Sequence, residues 1–320
     1  MPQKYFTDVD SNEIMLEDDS GRIRLAGDLL RSVNLVTGCI IAVMGTENSN
    51  GELEIIDIKL PDLPPQPERW SLSKASNGKA KAKAKGEDEE MGNAPTSAGK
   101  KVALVSGLSF SGTDASYALE LNLLLEYLLG EALGPAAQSE MAQISRLIIA
   151  GNSISTAKSE QEEEAGGKKS AKKYGYDASA YNALPSQIFD DFLTELLPSM
   201  PVTLLPGELD PANASYPQQP IHTAMFPKSR NFGKNPGSQE PGWFDAVTNP
   251  WEAEVEGWRI LGTGGQNVDD VFKYVESDDR LGMMEAMCRW RCCAPTAPDT
   301  LCEWTCRTYG VVLTAKLTLY

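Results

Sequence analysis

The sequence predicts an α/β protein, α+β overall, in two successive blocks: a small, strongly twisted sheet of barrel type, then a layered arrangement of alternating strands and helices. Three observations lead there. Short alternating runs separated by Gly, Asn and Asp fill the first seventy residues. From residue 101 the pattern changes to uninterrupted apolar runs that alternate with helical stripes. Two low-complexity stretches rich in Lys and Glu punctuate the order.

The first block, residues 1–70, opens with "NEIMLEDDSGRIRLAG", a hairpin whose turn is Asp18, Asp19, Ser20 and Gly21 and whose Ile23 and Leu25 share a face. "LVTGCIIAVMGTENSNGELEIIDIKLP" supplies two further strands around a turn at 48–51, with Gly38 and Gly45 as bending points. Short antiparallel strands with glycine kinks indicate a partial oligonucleotide-binding (OB) barrel, of which four of the usual five strands are visible. Residues 71–100 then read as a disordered linker, because four alternating lysines abut a run of acids with no aromatic after Trp70.

In the second block, 101–301, "KVALVSG", "ISRLIIAGN" and "PVTLLPG" read as buried parallel strands. Residues 116–130 form an apolar helix closed by Gly130, and 186–197 a helix with Ile188, Phe189, Phe192, Leu193, Leu196 and Leu197 on one stripe. "AEVEGWRILGTGG" is a hairpin, and 267–291 is expected as one helix led by Val268, Val271 and Phe272. Segments 156–175 and 227–242 read as surface loops expanded by insertion.

Composition narrows the function. A hydrophobic content of 41% is ample for a core, and a net charge of −16 opposes wrapping of nucleic-acid phosphates, which depends on Lys and Arg. No apolar run reaches the roughly 18 to 20 residues of a membrane span, and the N-terminus lacks a signal-like apolar segment, so a cytosolic or nuclear chain is expected. Six cysteines in such a chain are read as reduced thiols. Cys288-x3-Cys292 with Cys302-x3-Cys306 could form a zinc site in principle, but the usual pairs are closer and no His or Gly-rich knuckle supports these.

Ligands of an open α/β sheet bind beyond the carboxyl ends of its strands. Those ends here are "VSG", "AGN" and "PGELD", and they resemble the calcineurin-like metallophosphoesterases, whose strands end in D-x-H, G-D and G-N-H-D before a later G-H-x-H. The resemblance is to a degenerate version. Ser106 and Leu108 replace the first Asp and His, Asn152 replaces a bridging Asp, and Glu208 and Leu209 stand where Asn and His belong, leaving Asp210. With one histidine in the chain, His222, a two-metal centre of this kind cannot form. His222 is expected to be a structural histidine in a proline-fixed loop, and Gly264, Gly265 and Gln266 a plain glycine turn without the Lys of a phosphate loop.

An OB-type sheet followed by a ligand-stripped phosphoesterase domain is similar to the B subunits of the replicative DNA polymerases alpha, delta and epsilon. "LVTGCIIAVMG", "LPGELDPANASYPQQPIHTAMFP", "LGTGGQNVDDVFKY" and "APTAPDTL" resemble the delta branch. The most specific block is the loop containing Gly207, Pro217, Gln218, Gln219, Pro220 and His222.

The resemblance implies a nuclear, non-catalytic scaffold with no cofactor, no small-molecule substrate and no membrane association. Its implied partners are the cysteine-rich C-terminal module of the DNA polymerase delta catalytic subunit and further accessory polymerase subunits, with DNA reached only through the complex. Two features depart from the pattern. The chain opens inside the OB region, and residues 302–320 do not resemble the family's closing strands, so a C-terminally truncated domain with a poorly packed tail is expected.

Two other functions compete. An active phosphoesterase would need the missing ligands. A single-strand binder would need exposed aromatics on the OB sheet, and residues 14–60 contain none.

Overall fold

The computed structural model describes residues 4–5, 13–64, 100–111, 118–131, 134–155, 183–213, 215–235, 242–256, 258–297 and 299–301. The expected linker at 71–100 (but for Lys100), the loop at 156–175 and the tail at 302–320 lie outside them. The backbone groups into two units, residues 1–73 with 265–320, and residues 74–264. That division differs from the linear one, because segment 265–301 groups with the N-terminal sheet.

In the first unit, β1 (Met15–Asp18), β2 (Gly21–Ala26), β3 (Ala42–Glu47) and β4 (Leu53–Lys59) form one sheet in the order β1-β2-β4-β3. The β1–β2 hairpin turns where the sequence predicts: Asp18 Oδ1 accepts from the backbone N–H of Ser20 and Gly21 at 2.8 and 3.0 Å. The β3–β4 turn is built likewise on Asn48, whose Oδ1 accepts from Asn50 and Glu52.

Two expectations need correction. The sheet is not wholly antiparallel, since β2 pairs parallel with β4 through Leu25–Leu53 and Ala26–Glu54. Gly45 sits at the register shift of β3, as a bending point should, but Gly38 lies outside the strands. It is needed for close approach instead: at φ +81°, a Cβ there would stand 1.8 Å from the carbonyl oxygen of Pro295.

The expected helix 267–291 is two helices, Gln266–Val271 and Arg280–Trp290. The interruption has a local cause: Asp279 caps the second helix by accepting from the N–H of Gly282 at 2.9 Å, which requires a non-helical backbone at that position. Val36 joins Val271, Val275, Met283, Met287 and Trp290 in this unit's core. Arg291 Nε donates to the Asp62 carbonyl at 2.7 Å, and Thr37 bonds Asp299, which ties the two sequence segments together.

In the second unit β5 (Lys101–Val105), β6 (Ile144–Ala150), β7 (Val202–Leu205) and β8 (Phe244–Ala246) make a wholly parallel sheet in that order. Of these, β8 is absent from the sequence-based expectation. α1 (Ala118–Leu129), α2 (Pro135–Met141) and α3 (Leu184–Leu196) are the unit's helices, so that Gln266–Val271 and Arg280–Trp290 of the first unit are α4 and α5 in chain order. Leu125 and Leu128 of α1 and Phe189, Leu193 and Leu196 of α3 share a core with Leu147, Ile149, Val202 and Leu204. Each such side chain contributes roughly 1.5–3 kcal/mol.

The opposite face, with Ile148, Leu205 and Val247, is packed by Trp251 and Ile260 of the hairpin β9 (Trp251–Val255) and β10 (Trp258–Gly262). Ile188 is an exception to the expected α3 stripe, at 40% exposed.

The expected loop 227–242 is not simply a surface insertion, because its first residues are docked. The buried carboxylate of Asp190 accepts from the N–H groups of Lys228 and Ser229, each at 2.9 Å, and Ser229 is fully buried.

Candidate functional site: the strand ends of the parallel sheet

β5, β6 and β7 run parallel, so their carboxyl ends emerge together. The first two loops go on pairing past the strands: Gly107 N–H donates to the Gly151 carbonyl at 3.1 Å and Phe110 N–H to that of Ser153 at 2.9 Å. Behind them Phe110 packs on Phe189 and Phe192, with ring centroids 5.1 and 5.3 Å away. Phe226 meets Phe189 and Phe244 edge-on. The loops therefore rest on a rigid aromatic floor.

The sequence-predicted residues separate into inward and outward groups. Ser106 is exposed and its hydroxyl donates to the Ala150 carbonyl at 2.7 Å. Leu108 turns into the core. Glu208 and Leu209 point to solvent. Asn152 takes a left-handed conformation, φ +54°, and its Oδ1 accepts from the N–H of Leu209 at 3.0 Å.

Asp210 is buried and faces backbone alone. Its Oδ1 accepts from the N–H groups of Ser153 and Ile154, both at 2.8 Å, and its Oδ2 from that of Gly207 at 2.7 Å. Burial pushes its pKa above the usual carboxylate range, and the N–H donors partly offset that rise. Gly207 is required by proximity: a Cβ there would lie 2.3 Å from the Asn152 nitrogen. A carboxylate with both oxygens committed in this way ties the β6 loop to the β7 loop.

The proline-rich loop makes a second tie. Gln218 is buried between the exposed Pro217 and Gln219, with Pro220 following. Its Nε2 donates to the carbonyls of Gly207 at 3.0 Å and Asn213 at 3.1 Å. Its Oε1 accepts from Asn249 Nδ2 at 3.0 Å. Asn249 Nδ2 also donates to the Pro206 carbonyl, and its Oδ1 accepts from the N–H of Gly264, both at 3.0 Å.

The two side-chain amides thus use every donor they carry. Sequence reasoning flagged Gln218 only as part of a fingerprint and missed Asn249; the one available signal was an Asn-Pro step following a strand. The buried hydroxyl of Ser153 has no partner among the described residues.

His222 is exposed rather than packed; it caps the turn Thr223–Met225, with Nδ1 accepting from the Ala224 N–H at 3.1 Å. Gly265 precedes α4 with φ +97°. Among the described residues no three His, Cys, Asp or Glu side chains are grouped to hold a metal. Cys39, Cys288, Cys292 and Cys293 are free thiols, and burial pushes Cys39 and Cys293 up to about 11, away from the thiolate form that binds metals. Cys302 and Cys306 lie outside the described residues.

Residues 102–308 match the family model for the B subunits of DNA polymerases alpha and epsilon, and residues 1–58 that for the DNA polymerase delta subunit OB-fold domain. The chain is 33% identical over 328 residues to the DNA polymerase delta small subunit of Saccharomyces cerevisiae, an alignment covering 93% of the chain and 58% of the relative. Proteins of the same name from Oryza sativa subsp. japonica and Arabidopsis thaliana are 33% and 34% identical, over 91% of the chain and 58% and 57% of their own lengths. The chain therefore spans a little under 60% of these relatives.

Proposed function

The chain belongs to the DNA polymerase alpha/epsilon B-subunit family, and from that premise we propose that it is a non-catalytic accessory subunit of a nuclear DNA polymerase delta complex. In this reading it binds the cysteine-rich C-terminal module of the catalytic subunit and bridges to further accessory subunits. It reaches DNA through that complex.

The observation that carries the reading is the use of Asp210. Phosphoester hydrolysis by two metals needs carboxylates and imidazoles whose lone pairs face a shared cavity. The remaining carboxylate here directs both oxygens to backbone N–H groups, and the neighbouring positions carry Ser106, Leu108, Asn152, Glu208 and Leu209. What the strand ends retain is loop geometry, which suits a rigid protein-binding surface.

Co-expression of the full chain with the cysteine-rich module of the polymerase delta catalytic subunit tests the reading. A stoichiometric complex through size exclusion is expected, with no manganese-dependent phosphatase turnover above background. Absence of a complex, or turnover abolished by Asp210→Ala, would overturn it.

A further inference from the structure

Helix α1 is apolar on two opposite sides. Leu125 and Leu128 enter the core of the second unit, while Leu119, Leu123 and Tyr127 stand 67, 53 and 47% exposed. These three recur every four residues and so form one outward line; Glu120 and Glu126 fall about 60° to either side of it. A helix that is apolar all round is normally buried all round. The adjacent α3, packed into the same core, continues the layer with exposed Leu184 and Ile188, followed by Asp191 and Glu195.

Neither helix contains a Lys or Arg. The cation described on this layer is Lys228, which pairs with Asp191 and leaves Glu120, Glu126 and Glu195 unneutralised by it.

We propose that the outward face of α1 is a docking surface for a basic amphipathic helix of a partner protein, whose apolar stripe covers Leu119, Leu123 and Tyr127 while its cations meet Glu120 and Glu126. The chemistry selects the occupant. An acidic helix would bring like charges against both carboxylates, and a neutral one would leave them facing apolar surface. A second copy of the chain would oppose Glu120 and Glu126 with the same residues. This face lies on α1, away from the strand-end loops on which the polymerase reading rests.

The test is fluorescence anisotropy of the full chain with two labelled helical peptides of about 18 residues. Both carry the same leucine stripe, flanked by lysines in one and by glutamates in the other. The lysine peptide is expected to bind about tenfold or more tightly than the glutamate peptide. Glu120→Lys with Glu126→Lys is expected to invert that order. Leu123→Ser is expected to weaken the lysine peptide about tenfold while leaving circular dichroism and the unfolding midpoint unchanged.

An unchanged order after charge reversal would assign the attraction to the overall charge of −16 and overturn the proposal. So would no effect of Leu123→Ser, or concentration-dependent dimerisation that Leu123→Ser abolishes. Because the peptides contain nothing of the polymerase, their failure and failure of the co-expression test are separate outcomes.

Discussion

The sheet of the first unit and the strand ends of the second both depend on carboxylate and amide side chains that accept from backbone N–H groups, but at opposite ranges. Asp18 and Asn48 reach residues two to four positions away and do so at the surface. The buried Asp210 accepts from Ser153, 57 residues away, and the buried Asn249 from Gly264, 15 residues away. A local tie replaces water that would otherwise solvate the turn, so it contributes little net free energy. A long-range tie fills donors that nothing else can satisfy, and removing it leaves several buried groups orphaned at once.

The sharpest way to break that contrast is Asp210→Ala. It orphans the N–H groups of Gly207, Ser153 and Ile154 and is expected to cost about 3–5 kcal/mol in urea unfolding. Asp210→Asn keeps the shape but turns an amide N–H toward one of those donors, and about 2 kcal/mol is expected. A loss under about 0.5 kcal/mol for Asp210→Ala would place the carboxylate outside the structural role assigned to it.

Gln218→Ala is next. It strands the Gly207 carbonyl and one N–H of Asn249, for an expected loss of about 2–3 kcal/mol. Because Gln218 and Asn249 share a hydrogen bond, the double variant Gln218→Ala with Asn249→Ala is expected to lose less than the sum of the two single changes. Strict additivity would mean that the two amides act as separate ties.

The same contrast explains what the sequence disclosed. β6 and β7 were legible because a strand buried on both faces must be an unbroken apolar run, and "ISRLIIA" and "VTLL" nearly are. The Asp18 and Asn48 turns were legible because the acceptor and its donors are sequence neighbours. β8 was not: three residues, "FDA", carry no periodicity. The break between α4 and α5 was hidden because the apolar spacing of Val271, Val275 and Met283 continues across it.

At the strand ends the residue types were legible and their use was not. Asp210 reads as a ligand until its donors are known, and those donors are backbone atoms brought together only by the parallel register. Asn249 had only its Asn-Pro step to mark it, since its partners Pro206, Gln218 and Gly264 are distant in sequence.

The smallest expected effects lie in the first unit, where they can be distinguished by sign. Asn48→Ala is expected to cost about 0.5–1 kcal/mol, the usual value for a local side-chain tie to a turn. The hydroxyl and N–H of Ser20 hold Asp18 below the ordinary carboxylate range, whereas burial holds Asp210 above it. A depressed carboxyl supports folding above its unfolded pKa and loses that support as pH falls through its folded pKa. A raised one supports folding while protonated, below its unfolded pKa, and loses that support as pH rises through its folded pKa. Carboxyl-carbon NMR titration is therefore expected to find Asp18 titrating below, and Asp210 above, the same residues in urea-unfolded protein. If both move in one direction, the surface tie and the buried tie do not differ in the way their surroundings require.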